Sequence, residues 1–240
     1  VSESQKISFN TMYTRSLDDE VREYVEFPNR DHNLDEKGTL LRWVERSLLS
    51  TQISGKRYSV FNSEIDWRFT YSLAKRKEPD TRETLYESKI DENRFRLADE
   101  SQSGSRFFSD LVDNNYDLGL DLKLPIRQGA SSFVGEIKFG SNFIFKDRAV
   151  DSRRFRFKPQ DFMQVNIYQK PEDLFTPENI SPDGFQLEED TRATDNYEAE
   201  HTLLAGFSTL DILITSKFRM IAGARLEYSN QEVSTFELFN

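Results

Sequence analysis

The chain has 240 residues, a net charge of −10 and no cysteine. That acidity excludes a nucleic-acid partner, which needs a basic surface, and no stretch of about eighteen apolar residues is present to form a transmembrane helix. A membrane crossed by strands stays open, because such a strand is apolar only at every second position and its mean hydropathy remains polar, here −0.70.

In chain order, Ile7, Phe9 and Tyr13 first alternate with Ser8 and Asn10. A period of two marks a β-strand, since successive side chains leave opposite faces of a sheet. A polar connection over 15–38 follows. A long strand is then expected from Leu40 to Ser54, ending in a tight turn at Gly55-Lys56-Arg57. The returning strand is the most informative stretch of the chain. Ile65, Trp67, Phe69, Tyr71 and Leu73 alternate with Glu64, Asp66, Arg68, Thr70 and Ser72. The charged connection over 77–104 holds a small expected hairpin, Thr84–Ser88 against Arg94–Leu97.

Tyr116, Leu118, Leu120, Leu122, Leu124 and Ile126 then alternate with polar residues up to a turn around Gly129. Beyond it, Phe133, Ile137, Phe139, Phe143 and Phe145 oppose Glu136, Lys138, Asn142 and Lys146. A loop rich in Pro and Asp covers 147–196. The last pair is 197–210 and 217–229, turning near Ile214. The reading is an all-β, antiparallel up-and-down meander of about seven long strands, with short turns at one end and long loops at the other. Charge pairing sets Lys123 opposite Glu136, Asp121 opposite Lys138, Gly119 opposite Gly140, and Glu200 opposite Arg225. Only even slips compete across the Gly129 turn, because an odd slip sets leucine against charge.

The runs LLRWVERSLLSTQISGKRY (40–58), SEIDWRFTYSLAKRKEPD (63–80), YDLGLDLKLPI (116–126), GEIKFG (135–140), RRFRF (153–157) and MIAGARLEYS (220–229) resemble the barrel of TonB-dependent outer-membrane receptors. The likeness is nearest to the large receptors of Bacteroidetes-like bacteria. It implies part of a transmembrane β-barrel of 22 strands whose lumen is plugged, in the bacterial outer membrane, without the plug domain. Implied partners are outer-membrane lipid and lipopolysaccharide, the parent's own plug, an inner-membrane energy-coupling protein, and a nutrient ligand such as an iron chelate, cobalamin, glycan or peptide. Val1 to Lys6 also lack the basic and apolar regions of a signal peptide, so an excised segment is expected.

No catalytic constellation is present, so the chain reads as a non-enzyme without a cofactor. His32 and His201 lie far apart and in no metal-ligand spacing, and His201 is expected at a membrane interface on the face of Leu203, Ala205 and Phe207. Asp31, Asn33 and Asp35 have the alternate oxygen spacing of a calcium loop, but no bidentate Glu follows where one is required. They remain a weak candidate beside a plain acidic loop. Arg153, Arg154, Arg156 and Lys158 read as a charged strand extension or as cations for lipopolysaccharide phosphates at the outer rim. Tyr13, Trp43, Trp67, Tyr71, Tyr116 and Tyr228 are candidates for interfacial aromatic girdles.

The expected function is a wall segment of an energy-coupled receptor and transporter. Asp66, Arg68, Asp121, Lys123, Glu136, Lys138, Arg219, Arg225 and Glu227 are its lumenal, ligand-facing candidates. The rival readings are a soluble all-β carbohydrate- or ligand-binding domain and a passive outer-membrane barrel.

Overall fold

The computed structural model describes residues 5–29, 33–58, 63–89, 92, 94–128, 133–160, 165–215 and 217–235. Seven long strands form one antiparallel meander: β1 (Gln5–Asn29), β2 (Leu34–Tyr58), β3 (Glu64–Lys89), β5 (Ser105–Gln128), β6 (Phe133–Pro159), β8 (Tyr197–Thr215) and β9 (Phe218–Thr235). A short β4 (Arg96–Leu97) pairs with the end of β3, and β7 (Phe185–Glu189) with the end of β6. A single helical turn, α1 (Pro171–Leu174), lies in the β6–β7 connection. The sheet is not closed, which is consistent with a partial barrel: among the described residues β1 and β9 do not pair with each other.

Register carries the alternation across the whole sheet. Directly opposed residues share a face, and Ile53, Phe69, Leu118, Phe143, Leu204 and Tyr228 follow one another across six strands. Ile65, Trp67, Leu120, Leu122, Ile137, Phe139, Met220 and Leu226 lie on that same face, while Asp66, Lys123 and Arg225 lie on the other. The band is open to solvent, with Leu120 49 % and Leu226 81 % exposed. On β5 it runs from Tyr116 to Ile126, ten steps or about 33 Å along the strand. At the ~40° tilt that barrel strands take, a run of this length would stand about 25 Å tall. Tyr71, Tyr116 and Phe145 close one edge of the band, with ring centroids 5.1 and 6.3 Å apart.

The strands do not stop at that edge. β1, β2, β3, β5 and β6 have 24 to 27 residues, roughly twice what the apolar band uses. Much of the expected loops at 15–38, 77–104 and 147–196 is therefore paired strand. Leu17 faces Glu45, Leu111 faces Val150, and the β1–β2 ladder reaches Asn29 and Leu34. The expected hairpin near 84–97 is present, with Tyr86 opposite Leu97 and Glu87 opposite Arg96. Connections alternate between the two ends of the meander as expected, but the long ones are shorter than the sequence suggests.

Gly55 is not a turn. β2 continues through it to Tyr58, and Gly55 pairs with Ile7 on one side and Trp67 on the other. The Trp67 indole fills the room a side chain would take: a Cβ on Gly55 would come within 2.4 Å of it. A strand glycine here marks close approach by a neighbour instead of a reversal. The expected turn at Gly129 falls on residues 129–132, outside the described residues.

Two registers also differ from expectation. Lys123 faces Lys138 instead of Glu136, Asp121 faces Gly140 instead of Lys138, and Gly119 faces Asn142 instead of Gly140. The slip is even, so both faces keep their character. It separates the two glycines, so that the Phe207 ring lies over Gly140 and the Arg68 guanidinium over Gly119. In the last hairpin Glu200 faces Glu232 and Arg225 faces Phe207. β8 is apolar on both faces (Leu203, Leu204, Phe207, Leu210, Ile212), so its alternation does not fix its parity. Its even residues, not the odd set, join the apolar band, which puts His201 on the charged face. There its Nε2 lies 3.0 Å from the Ser229 hydroxyl.

Beyond the aromatic edge, β3 carries one extra residue between Glu78 and Thr81, at Pro79, which has no N–H to donate. Glu78 is buried there among Arg42, Arg76 and Thr81, whose hydroxyl donates to it at 2.6 Å. The compact core of the chain sits in this same half: Tyr86, Leu97, Val165, Ile167, Leu174 and Phe185, flanked by Phe95, Phe157 and Phe175.

Candidate functional site

The alternation that builds the apolar band also builds a charged wall on the opposite face. All nine lumenal candidates lie on it: Asp66 and Arg68 on β3, Asp121 and Lys123 on β5, Glu136 and Lys138 on β6, and Arg219, Arg225 and Glu227 on β9. Direct opposition of Lys123 and Lys138 is unfavourable in itself, and the two ammonium groups diverge. Lys123 Nζ reaches Glu64 at 2.7 Å, and Lys138 Nζ reaches Asp121 at 3.1 Å. Lys56 joins the same Glu64 oxygen from β2 at 2.7 Å and Asp66 at 3.5 Å. One carboxylate thus ties three strands together.

Next along the wall, Arg68 lies flat over Gly119 with its Nε 3.7 Å from Asp117, which also accepts from Asn142 Nδ2 at 3.0 Å. Asp66, Arg68 and Asp121 line one shallow pocket of about 400 Å³ with Lys6, Lys56 and Gly119. Lys123, Glu136, Lys138, Arg219, Arg225 and Glu227 are not part of it. Arg219 instead holds Asp211 in a forked contact, its Nε at 2.7 Å, and Arg225 pairs with Glu227 along its own strand. Sequence reasoning missed Lys56, because a turn at Gly55 removed it from the wall. It also missed Phe207, which lies between Lys138 and Arg225, 5.2 and 5.9 Å from its ring.

Of the calcium spacing, Asn33 and Asp35 are described. Asn33 has a left-handed backbone (φ 55°), and Asp35 is held in β2 between Pro28 and Ser88. Asp31 and His32 lie outside the described residues, among which no group of three acidic, His or Cys side chains is arranged for a metal. The four cations of the β6 end are each already partnered: Arg153 with Glu189 at 2.7 Å, Arg154 with Asp195 at 3.3 Å, Arg156 with Asp99 at 2.6 Å and Lys158 with Glu188 at 3.3 Å. A phosphate would have to displace these carboxylates. Of the girdle candidates, Tyr71 and Tyr116 stand in the aromatic row, with Tyr13 and Tyr228 within one alternation step of it. Trp67 sits inside the apolar band. Trp43 lies eight residues beyond Thr51, the partner of Tyr71, and so well outside the band.

In the half beyond the band, charges respond to burial. The Asp80 carboxyl is pushed up by burial, but hydrogen bonds from Arg106 and Arg82 outweigh this and hold it below its ordinary value. Burial raises Glu83, against a bond from the Tyr24 hydroxyl that lowers it.

No family model matches the chain, and no curated protein matches it in sequence.

Proposed function

We propose that this chain is a wall segment of an outer-membrane β-barrel receptor of the TonB-dependent type, its apolar face toward lipid and its charged face toward the lumen. The observation that carries the proposal is the charge-poor, mainly apolar face across seven strands, about 33 Å long on β5 and edged on one side by aromatic rings. Exposed apolar patches on soluble monomers rarely exceed a few hundred Å², so a face of this size needs a partner, and lipid is one that fits all of it. The ion-paired wall around Glu64, Asp66 and Asp121 would then line the passage, where a plug domain and a nutrient ligand would meet it. The half beyond the band would project from the membrane on the side of the long connections.

The chain's two tryptophans supply a test, since one lies in the band and the other beyond it. In vesicles of brominated lipid, the fluorescence of the Trp43→Phe variant, reporting Trp67, is expected to be strongly quenched. That of the Trp67→Phe variant, reporting Trp43, is expected to be nearly unchanged. Equal quenching of both would remove the assigned membrane level. A monodisperse monomer in plain buffer would favour a soluble all-β binding domain.

A further inference from the structure

β1 is the first strand of the sheet, so one row of its N–H and C=O groups has no ladder partner among the described residues. Past Tyr13 this edge keeps a strict alternation on the face it shares with the apolar band: Leu17, Asp19, Val21, Glu23. Leu17 and Val21 are 47 % and 66 % exposed, and Trp43 and Leu41 beside them on β2 are exposed too. Neither carboxylate in this patch is satisfied. Arg15, on the same face, is taken by Glu45 at 2.7 Å. Lys37 lines a hollow with Glu23 but stands 4.2 Å from the centre of the Phe95 ring. Among the described residues Asp19 and Glu23 have no ionic or hydrogen-bonding partner. On the opposite face of β1 the charges are matched, Asp18 by Arg46, and Glu20 by Arg22 at 2.5 Å and Arg42 at 3.7 Å.

The pattern discriminates among occupants. Lipid chains would cover Leu17 and Val21 but strip water from two unpaired carboxylates. A second β1, antiparallel about Val21, sets Asp19 against Glu23, and a slip by two sets Asp19 against Val21 and Glu23 against Leu17. The other free edge, β9, has no cation on its apolar face. Its arginines lie on the charged face at 219 and 225, a wider spacing than 19 to 23, and both are already paired. Neither edge of a second copy therefore fits. A strand with a basic residue at every fourth position and an apolar one midway meets all four side chains at once. In such strand addition the main-chain bonds give affinity and the alternate side chains give specificity.

We propose that the far half of β1 takes one further antiparallel strand, the neighbour that continues this wall, with basic side chains opposite Asp19 and Glu23 and apolar ones opposite Leu17 and Val21. The proposal rests on the wall reading, in which β1 is flanked on both sides. The occupant joins the sheet and is not cargo. The two carboxylates that favour it also repel a second copy, which keeps a long edge from pairing with itself.

The test adds dansyl-labelled peptides of about eleven residues to the Trp67→Phe chain refolded in vesicles. Energy transfer from Trp43, which faces Asp19, is the readout. In the first peptide alternate side chains are Leu, Lys, Val, Lys and Leu, with threonine between; in the second, glutamate replaces both lysines. The first is expected to bind at least about tenfold more tightly than the second. In the Asp19→Lys, Glu23→Lys double variant the preference is expected to reverse, with circular dichroism verifying that the sheet is retained. No transfer with the first peptide, equal transfer with both, an unreversed preference, or a dimer of the chain that the double variant abolishes would each overturn the proposal. Brominated-lipid quenching reads the wall separately. Strong quenching of Trp67 without a peptide preference removes this proposal and keeps the wall, while equal quenching of both tryptophans removes the wall whatever the peptides do.

Discussion

Followed from Gln128 toward Ser105, β5 changes chemistry at Tyr116 while its backbone does not change at all. Up to Tyr116 one face is Ile126, Leu124, Leu122, Leu120 and Leu118; past it the same face carries Asn114, Val112, Asp110, Phe108 and Arg106. Yet every residue of β5 has its partner in β6 across both stretches. The ladder is held by N–H and C=O groups that all residues but proline possess. Alternation is imposed only where the two faces meet different surroundings. Its loss along a strand therefore reports that both faces meet water or protein, and carries no message that the strand has ended.

The contrast predicts position-dependent costs for one substitution on one face. Leu120→Arg places a cation at the middle of the band and is expected to cost roughly 2–4 kcal/mol in a bilayer. Leu17→Arg, on the same face in the far half and opposite Glu45, should change stability by no more than about 0.5 kcal/mol, as for an ordinary surface site. Urea titration of the vesicle-refolded chain measures both. Comparable costs would erase the boundary drawn at the aromatic row.

A smaller effect is expected where the band accommodates Trp67. Gly55→Val sets a side chain into space the indole occupies, and overpacking of this kind costs about 1–3 kcal/mol. If the contact is the cause, Trp67→Ala should absorb most of that cost, and a double-mutant cycle reads the coupling directly. Additive effects would mean that Gly55 is needed for its backbone and not for the ring across from it.

The same glycine shows how far the sequence could be read. Alternation alone identified the meander and sorted Asp66, Arg68, Asp121, Lys123, Glu136, Lys138, Arg219, Arg225 and Glu227 onto one face. What it could not supply was register in steps of two, since such a slip keeps each side chain on its face. The true register is selected by long-range fits, Phe207 over Gly140 and Arg68 over Gly119, between strands that no local pattern links. The compact core around Tyr86 was illegible for a related reason. Its members come from β3, β4, β7, α1 and the segment before α1, which are far apart in sequence and share no local pattern.

The smallest expected effect separates the two halves by pH. Asp80 lies past the aromatic row, between Arg82 and Arg106, and its carboxyl is held below the ordinary 3.8 once the arginine bonds outweigh its burial. A depressed carboxylate contributes stability that is fully present above its unfolded value and lost as pH falls through the folded one. The loss therefore belongs below about pH 4, and an exposed-type ion pair sets its size at roughly 0.2–1 kcal/mol. Glu83 has the opposite sign: burial raises it above 4.5, so its charge costs stability at neutral pH and that cost disappears as the group protonates. In the Trp67→Phe background, Trp43 fluorescence reports the far half during urea titration. Asp80→Asn should lower stability at pH 7 and flatten its fall below pH 4, whereas Glu83→Gln should raise stability at pH 7 slightly. A Glu83→Gln variant less stable at pH 7 would show that the Tyr24 hydroxyl, donating to that carboxylate, outweighs its burial.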